Sequence, residues 1–214
     1  HFKSQIVSVE LKRKKGPAQF DTDEHVRAES SMEIMGKLRA VFVKENGTVT
    51  AGNASGINDA AAAVVLMEKS AAQKRGLTPM ARLVAYGHAG IDPKIMGLGP
   101  VSAGKNALAK AGLKIGDLDV IESNEAFAAQ ARGVSKELAL DPAKVNPNGG
   151  AVALGHPIGA TGAILTIKCM YELHRTNKRY GLITMCIGGG QGIAAIIERM
   201  WRTGFRPTTP ASAA

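Results

Sequence analysis

The sequence predicts an α/β fold in which helices are layered on a mixed β-sheet that closes with a C-terminal hairpin. Two observations carry this expectation. From residue 80 onward, short apolar runs of strand length alternate with longer runs at helical spacing, the pattern of strand–helix–strand units. The last two apolar runs, 182–187 and 193–197, are separated only by a glycine-rich stretch that turns the chain back into an antiparallel pair. A sheet built from both kinds of connection is mixed.

Taken in order, residues 6–11 read as a strand, followed by a basic turn around 14–17 and by Asp21, Asp23 and Glu24, placed to cap a short helix. An apolar cluster (Leu38, Val41, Phe42, Val43) precedes the turn signal Asn46-Gly47. The small residues of TAGNASGIND, 50–59, permit close backbone approach, with Ser55 or Asn58 as a cap for the next element. Residues 60–67 are too apolar to face water and read as a buried strand or helix segment, which periodicity does not separate. A helix over 70–75 ends at Gly76, a strand covers 80–86, 87–99 reads as loop, and a helix over 102–111 ends at Gly112. A strand at 118–122 feeds a helix within 123–140 that Ser123 and Asn124 would cap, with Phe127, Ala131, Val134 and Leu138 on one face. The glycine-dense loop 149–162 carries His156 and leads into a helix from Ala160, with Lys178 and Arg179 near its C-terminal dipole. Residues 201–214, with Pro207 and Pro210, show no burial pattern and read as a disordered tail.

Composition excludes several classes. No apolar run reaches the length of a membrane span, and no secretory signal opens the chain, so no membrane partner is expected. The net charge of +9 is dispersed apart from Lys12, Arg13, Lys14 and Lys15, which read as a solvated loop. Without a zinc finger, an aromatic RNA-binding signature or a helix-turn-helix, nucleic acid is not expected. The 2 cysteines, Cys169 and Cys186, make neither a disulfide framework nor a cysteine zinc site; a reducing, cytoplasmic setting fits, with no metal. A chain opening on His1 rather than Met is expected to be the C-terminal piece of a longer protein.

For chemistry, Cys186 stands at a strand end followed by Gly188, Gly189 and Gly190, where bare amides serve an oxyanion or a thioester. Cys169 lies mid-helix and is assigned to packing. His156, with little side-chain bulk beside it, is read as catalytic or ligand-facing; His88, in a glycine-flanked loop, is the weaker competitor, and His25 and His174 read as exposed. Asn124 either caps its helix or holds a water or a substrate carbonyl.

NEAFAAQ at 124–130, GHPIGATG at 155–162 and CIGGGQG at 186–192, with TAGNASGINDAAA at 50–62, stand in the order and spacing of the thiolase family. Over about 1–200 the chain resembles that family, most nearly its bacterial acetyl-CoA acetyltransferases and broad-specificity β-ketothiolases. The resemblance implies a layered α/β/α/β/α fold when complete. It divides this chain into the end of the loop, coenzyme A-binding domain (1–56), the last segment of the N-terminal core domain (57–79), the C-terminal core domain (80–200) and the tail. It further implies Claisen condensation of two acyl-CoA molecules, such as acetyl-CoA, or thiolytic cleavage in reverse. His156 would activate a nucleophilic cysteine and form, with a water held by Asn124, an oxyanion hole. Cys186 would be the acid/base, and the Gly188 amide would stabilise the tetrahedral intermediate. Ser55 and Ala51 would follow the pantetheine arm, Arg27 the nucleotide end, and Met96, Phe42 and Phe127 would line the acyl and pantetheine pocket. Coenzyme A thioesters are substrates in this scheme, with no separate cofactor, and a homo-oligomer, tetramer or dimer, is implied.

One departure stands out: the family's acyl-accepting cysteine belongs to the first half, and no cysteine here precedes Cys169. The chain alone is therefore expected to be inactive and poorly soluble, with an apolar face left for an N-terminal half. The alternatives are a noncatalytic coenzyme A-binding or scaffolding subunit that pairs with a separate N-terminal chain, and a ketoacyl synthase. The second is disfavoured because that family places a histidine where Cys186 stands.

Overall fold

The computed structural model describes residues 2, 5–14 and 16–200; Lys15 of the basic cluster and the tail 201–214 lie outside the described residues. At the N-terminal end, β1 (Val9–Leu11) and β2 (Ala18–Phe20) form a small antiparallel ladder, Val9 opposite Phe20, around the basic turn. No helix follows Asp21–Glu24: Asp23 instead accepts the His25 amide at 3.0 Å. The first helix is α1 (Met32–Gly36), capped by Ser31, whose hydroxyl accepts from the Ile34 amide at 3.2 Å.

Residues 60–67 depart from the buried reading. They form no regular element, and Val65 and Leu66 are 89% and 83% exposed. The apolar composition is real, but among the described residues no element is laid over it. The helix expected next is α2 (Lys69–Lys74), ending as anticipated at Gly76, whose φ is +65°.

The main sheet has the order β3-β6-β5-β4, with β3 (Ala81–Gly90), β4 (Val120–Ser123), β5 (Tyr180–Ile187) and β6 (Gln191–Arg199). β5 and β6 make the expected hairpin, Cys186 opposite Gly192, β3 adds antiparallel to β6, and β4 pairs parallel to β5, so the sheet is mixed. Its residues alternate between two cores. Ile121, Leu182 and Ile196 face one cluster with α3 (Gly99–Ala111) and Val134 of α4 (Ala128–Glu137). Val120, Ile183 and Ile197 face the other, with Leu165, Cys169 and Leu173 of α6 (Thr161–Arg175). Burial on both faces explains why these strands read as continuous apolar runs; each fully buried Leu or Ile contributes about 1.5–3 kcal/mol.

Two boundaries moved for local reasons. β3 continues to Gly90, and a 3-10 turn at Pro93–Leu98, capped by Asp92, leads directly into α3, so 87–99 is not a loop. α3 starts tight against β6: a side chain on Gly99 or Gly192 would collide with the other's backbone. α4 begins only at Ala128, after an extended Phe127, with no side-chain cap. Ser123 is held in the sheet because Asn146 accepts its N–H and donates to its carbonyl, each at 2.9 Å. Residues 126–128 are held extended by the strand-like segment 53–55, with Ala54 bridged to Phe127 and the Ala128 N–H donating to Asn53 at 2.8 Å. Neither Ser123 nor Asn124 caps a helix. At the end of α6 the basic residues of the last turn are His174 and Arg175, while Arg179 turns to Glu198 at 2.6 Å.

Candidate active site

β4 and β5 run parallel, and the candidate residues gather at their C-terminal ends, with Asn124 just past β4, Cys186 near the end of β5, and His156 brought to Asn124 by the glycine loop, the usual position for a site on an α/β sheet. Just past β4, the Asn124 amide N–H donates to the Thr184 carbonyl at 2.9 Å, which sets Asn124 beside β5, two residues short of Cys186. The Asn124 side chain, freed from capping, reaches His156: Nδ2 lies 3.3 Å from Nε2. Asn124 is 1% exposed, and its Oδ1 has no hydrogen-bond partner among the described residues. A buried amide oxygen left open is suited to a ligand or water that completes it.

The glycine loop is shaped around His156. One turn, α5 (Ala151–Leu154), interrupts it, and Glu125 accepts the Val152 amide at 3.1 Å. The His156 N–H donates to Asn58 Oδ1 at 3.1 Å, and Ile57 bridges His156 in parallel. Asn58 therefore fixes the loop instead of capping a helix; Ser55 caps none either, its hydroxyl donating to the Ala126 carbonyl at 3.1 Å and tying 53–55 to the segment after β4. On its other side the His156 ring meets Thr161 Oγ1, 2.7 Å from Nδ1. Burial pushes the His156 pKa below its ordinary value, so the neutral ring is favoured. Thr161 and the holding role of Asn58 escape sequence reasoning; the only signal was a polar residue within each small-residue motif.

Cys186 is half-buried near the end of β5, and burial pushes its thiol up. The group is therefore protonated at neutral pH and matched to giving a proton to a thiolate. Gly188 sits exposed in the β5–β6 turn. That turn is tied to the 3-10 segment bearing Met96, because the Ile91 N–H donates to the Gly190 carbonyl at 2.7 Å. Phe42 and Phe127 meet edge to face, with ring centroids 6.0 Å apart. Arg27 and Ala51 are exposed; Arg27 faces Glu29 at 3.9 Å, and among the described residues neither bonds to the His156–Asn124 pair.

The remaining titratable side chains sort by environment. Cys169 is fully buried in the core, its thiol raised well above the ordinary range by burial and by Glu122 and Glu172, and it is inert as expected. Beneath the site, the fully buried Glu122 faces Lys168 at 3.1 Å; burial raises its carboxyl, which Lys168 opposes. His88 lies exposed on strand β3, not in a loop. His25 and His174 are half-buried instead of exposed: His25 Nδ1 is 3.3 Å from Asn58 Nδ2, and His174 Nε2 is 2.8 Å from the Met80 carbonyl. Among the described residues, no group of three or more His, Cys, Asp or Glu could hold a metal, and no helix is long and apolar enough to cross a membrane.

The chain is similar to known proteins over most of its length. The thiolase C-terminal domain family matches residues 77–199, and the thiolase N-terminal domain family matches residues 1–70. The chain is 68% identical over 200 residues to the β-ketothiolase BktB of Cupriavidus necator, covering 94% of this chain and 51% of that protein. It is 56% identical over 199 residues to the 3-oxoadipyl-CoA/3-oxo-5,6-dehydrosuberyl-CoA thiolase of Escherichia coli, covering 92% and 49%. The crystal structure of the Bacillus anthracis acetyl-CoA acetyltransferase superposes with a TM-score of 0.87 at 48% identity, over 93% of this chain and 50% of that one. The chain thus spans about half the length of the curated relatives it matches. With both family models, these identities and the shared sheet in agreement, the chain belongs to the thiolase family.

Proposed function

We propose that this chain supplies the acid/base and oxyanion half of an acyl-CoA C-acyltransferase, which condenses two acyl-CoA molecules to a 3-ketoacyl-CoA or cleaves that product with coenzyme A. The observation that carries the reading is Asn124 Nδ2 held 3.3 Å from His156 Nε2, beside the strand that bears Cys186. In the condensing direction, the sulfur of a cysteine supplied by an N-terminal half attacks the thioester carbonyl of the first acyl-CoA. His156 takes the proton from that thiol, and the carbon–sulfur bond to coenzyme A breaks. Cys186 protonates the departing coenzyme A thiolate and becomes a thiolate itself. That thiolate then removes the α-proton of the second acyl-CoA. The resulting enolate, held by His156 and a water on Asn124, attacks the acyl-cysteine, releasing the 3-ketoacyl-CoA and the cysteine.

The Gly188 amide faces the tetrahedral intermediate in this reading. Ser55 and Ala51 follow the pantetheine, Arg27 lies toward the nucleotide, and Met96, Phe42 and Phe127 form the apolar wall, which the Phe42–Phe127 contact supports. The proposed division remains 1–56 for coenzyme A binding, 57–79 for the N-terminal core and 80–200 for the C-terminal core; the partners are a thiolase N-terminal half and further copies, as a dimer or tetramer, in the cytoplasm. Neither Cys169, sealed in the core, nor Cys186, used as acid/base, is left to accept the acyl group.

The test is coenzyme A-dependent cleavage of acetoacetyl-CoA by the chain alone and after pairing with the N-terminal half of a relative. No turnover alone, and turnover on pairing that falls at least about 100-fold in His156→Ala and Cys186→Ala, is expected. Turnover by the chain alone would overturn the missing-nucleophile reading. Coenzyme A binding with no turnover in the pair would favour the noncatalytic subunit.

A further inference from the structure

We propose that Thr161 is a positioning residue that decides which ring nitrogen of His156 carries the proton, placing it on Nδ1 and leaving Nε2 with a lone pair. The inference deepens the reading of His156 as a base and rests on it for its meaning, though its own test does not. A threonine hydroxyl has one proton to give. Here Thr161 Oγ1 is 2.9 Å from the Pro157 carbonyl, which only accepts, and 2.7 Å from His156 Nδ1. With its proton committed to Pro157, Oγ1 presents a lone pair to the ring, and the short contact is satisfied only if Nδ1 is the donor.

The opposite side of the ring agrees. Asn124 presents Nδ2, a donor, to Nε2 at 3.3 Å, which requires Nε2 to accept. Two independent neighbours thus ask for the same tautomer, and a hydrogen bond at one nitrogen sets the state of the other. Thr161 is fitted to this duty: it is 3% exposed, so water does not compete for its hydroxyl, and it opens α6, where the Pro157 carbonyl also accepts the Thr161 amide at 2.9 Å. Asn58 completes the support by holding the His156 backbone at 3.1 Å. When Nε2 takes a proton, the Nδ1–H bond to Thr161 survives and keeps the ring from turning, while the Asn124 Nδ2 hydrogen bond to Nε2 is given up because both groups are then donors.

The measurement is long-range 1H–15N correlation on the full chain labelled with 15N-histidine, with His156 assigned by the signals lost in His156→Gln. A protonated Nδ1 and an unprotonated Nε2 at pH 8 are expected. Thr161→Ser should keep that pattern, and Thr161→Val should move His156 toward the Nε2–H form. A wild-type His156 protonated on Nε2, or an unchanged Nδ1–H form in Thr161→Val, would overturn the inference; should Thr161→Val not fold, Thr161→Ala is read in its place. In the paired enzyme, Thr161→Val is expected to lower kcat about 10- to 100-fold with little change in KM, and Thr161→Ser to restore it. The expected tautomers together with a Thr161→Val that leaves kcat intact would retain the positioning inference and remove the base role of His156.

Discussion

At His156 a single cause, burial, disfavours the imidazolium, and the consequence for stability has a definite sign. The neutral ring is common to folded and unfolded chains at high pH. As pH falls through the ordinary histidine range, the unfolded chain takes up a proton that the folded chain still refuses. The contribution is therefore present above the unfolded pKa and lost as pH falls toward the lowered folded value. Urea midpoints measured from pH 8 to pH 5 are expected to fall more steeply for the wild type than for His156→Gln; equal slopes would show that the ring titrates as if exposed. At this scale the sequence was informative wherever chemistry and backbone shape coincide. His156, Asn124 and Cys186 stand in motifs whose glycines or strand ends announce them. Thr161 and Asn58 were not legible as site residues, because their roles come from contacts across 5 and 98 positions that no local pattern encodes.

Between elements, α6 lies so close to β5 that Gly181 has no room for a side chain: an added Cβ would collide with Cys169 Sγ and come within 3.1 Å of Leu173 Cδ1. Gly181→Ala is expected to cost about 1–3 kcal/mol by overpacking. Cys169→Ala in the same chain should recover part of that loss, so a double-mutant cycle by urea unfolding should show the two changes coupled; strictly additive losses would mean the helix simply moves away. A second link is Glu198 on β6, which accepts from Arg82 of β3 and, at 2.6 Å, from Arg179 ahead of β5. Burial pushes its carboxyl up, but the two guanidinium hydrogen bonds prevail and hold it below the usual range. Its contribution is present above the ordinary glutamate pKa and lost as pH falls through the lowered one. Glu198→Gln is expected to cost about 1 kcal/mol at pH 7, because both arginines are more than half exposed, and almost nothing at pH 2. The order of strands and helices was readable from periodicity, since burial on one or both faces leaves that imprint. The start of α4 was not, because capping residues at 123 and 124 promised a helix that tertiary pairing with 53–55 and Asn146 withholds.

For the whole molecule, the two-sided sheet is only partly covered. α6 packs on Val120, Ile183 and Ile197, yet Leu83, directly opposite Ile197, is 54% exposed and Ile193, on the same face of β6, is 40% exposed. Ile57, Val65 and Leu66 are more than 80% exposed, within or just ahead of the run that the sequence marked as interior. Reading that run as interior was sound about its composition, but among the described residues nothing covers it. Large apolar side chains exposed together are rare on a stable monomer and mark an interaction surface. The chain alone is therefore expected to self-associate, with light scattering that grows with concentration and with added sulfate. Substituting Val65→Asp and Leu66→Asp together should suppress that association. If the face is the seat of a thiolase N-terminal half, the same pair of changes should weaken pairing with that half by at least about tenfold, since each charge would need burial or water in the joint. Suppressed self-association with undiminished pairing would place the seat elsewhere, on the open face of β3 and β6, where Leu83→Asp is then the change expected to break it.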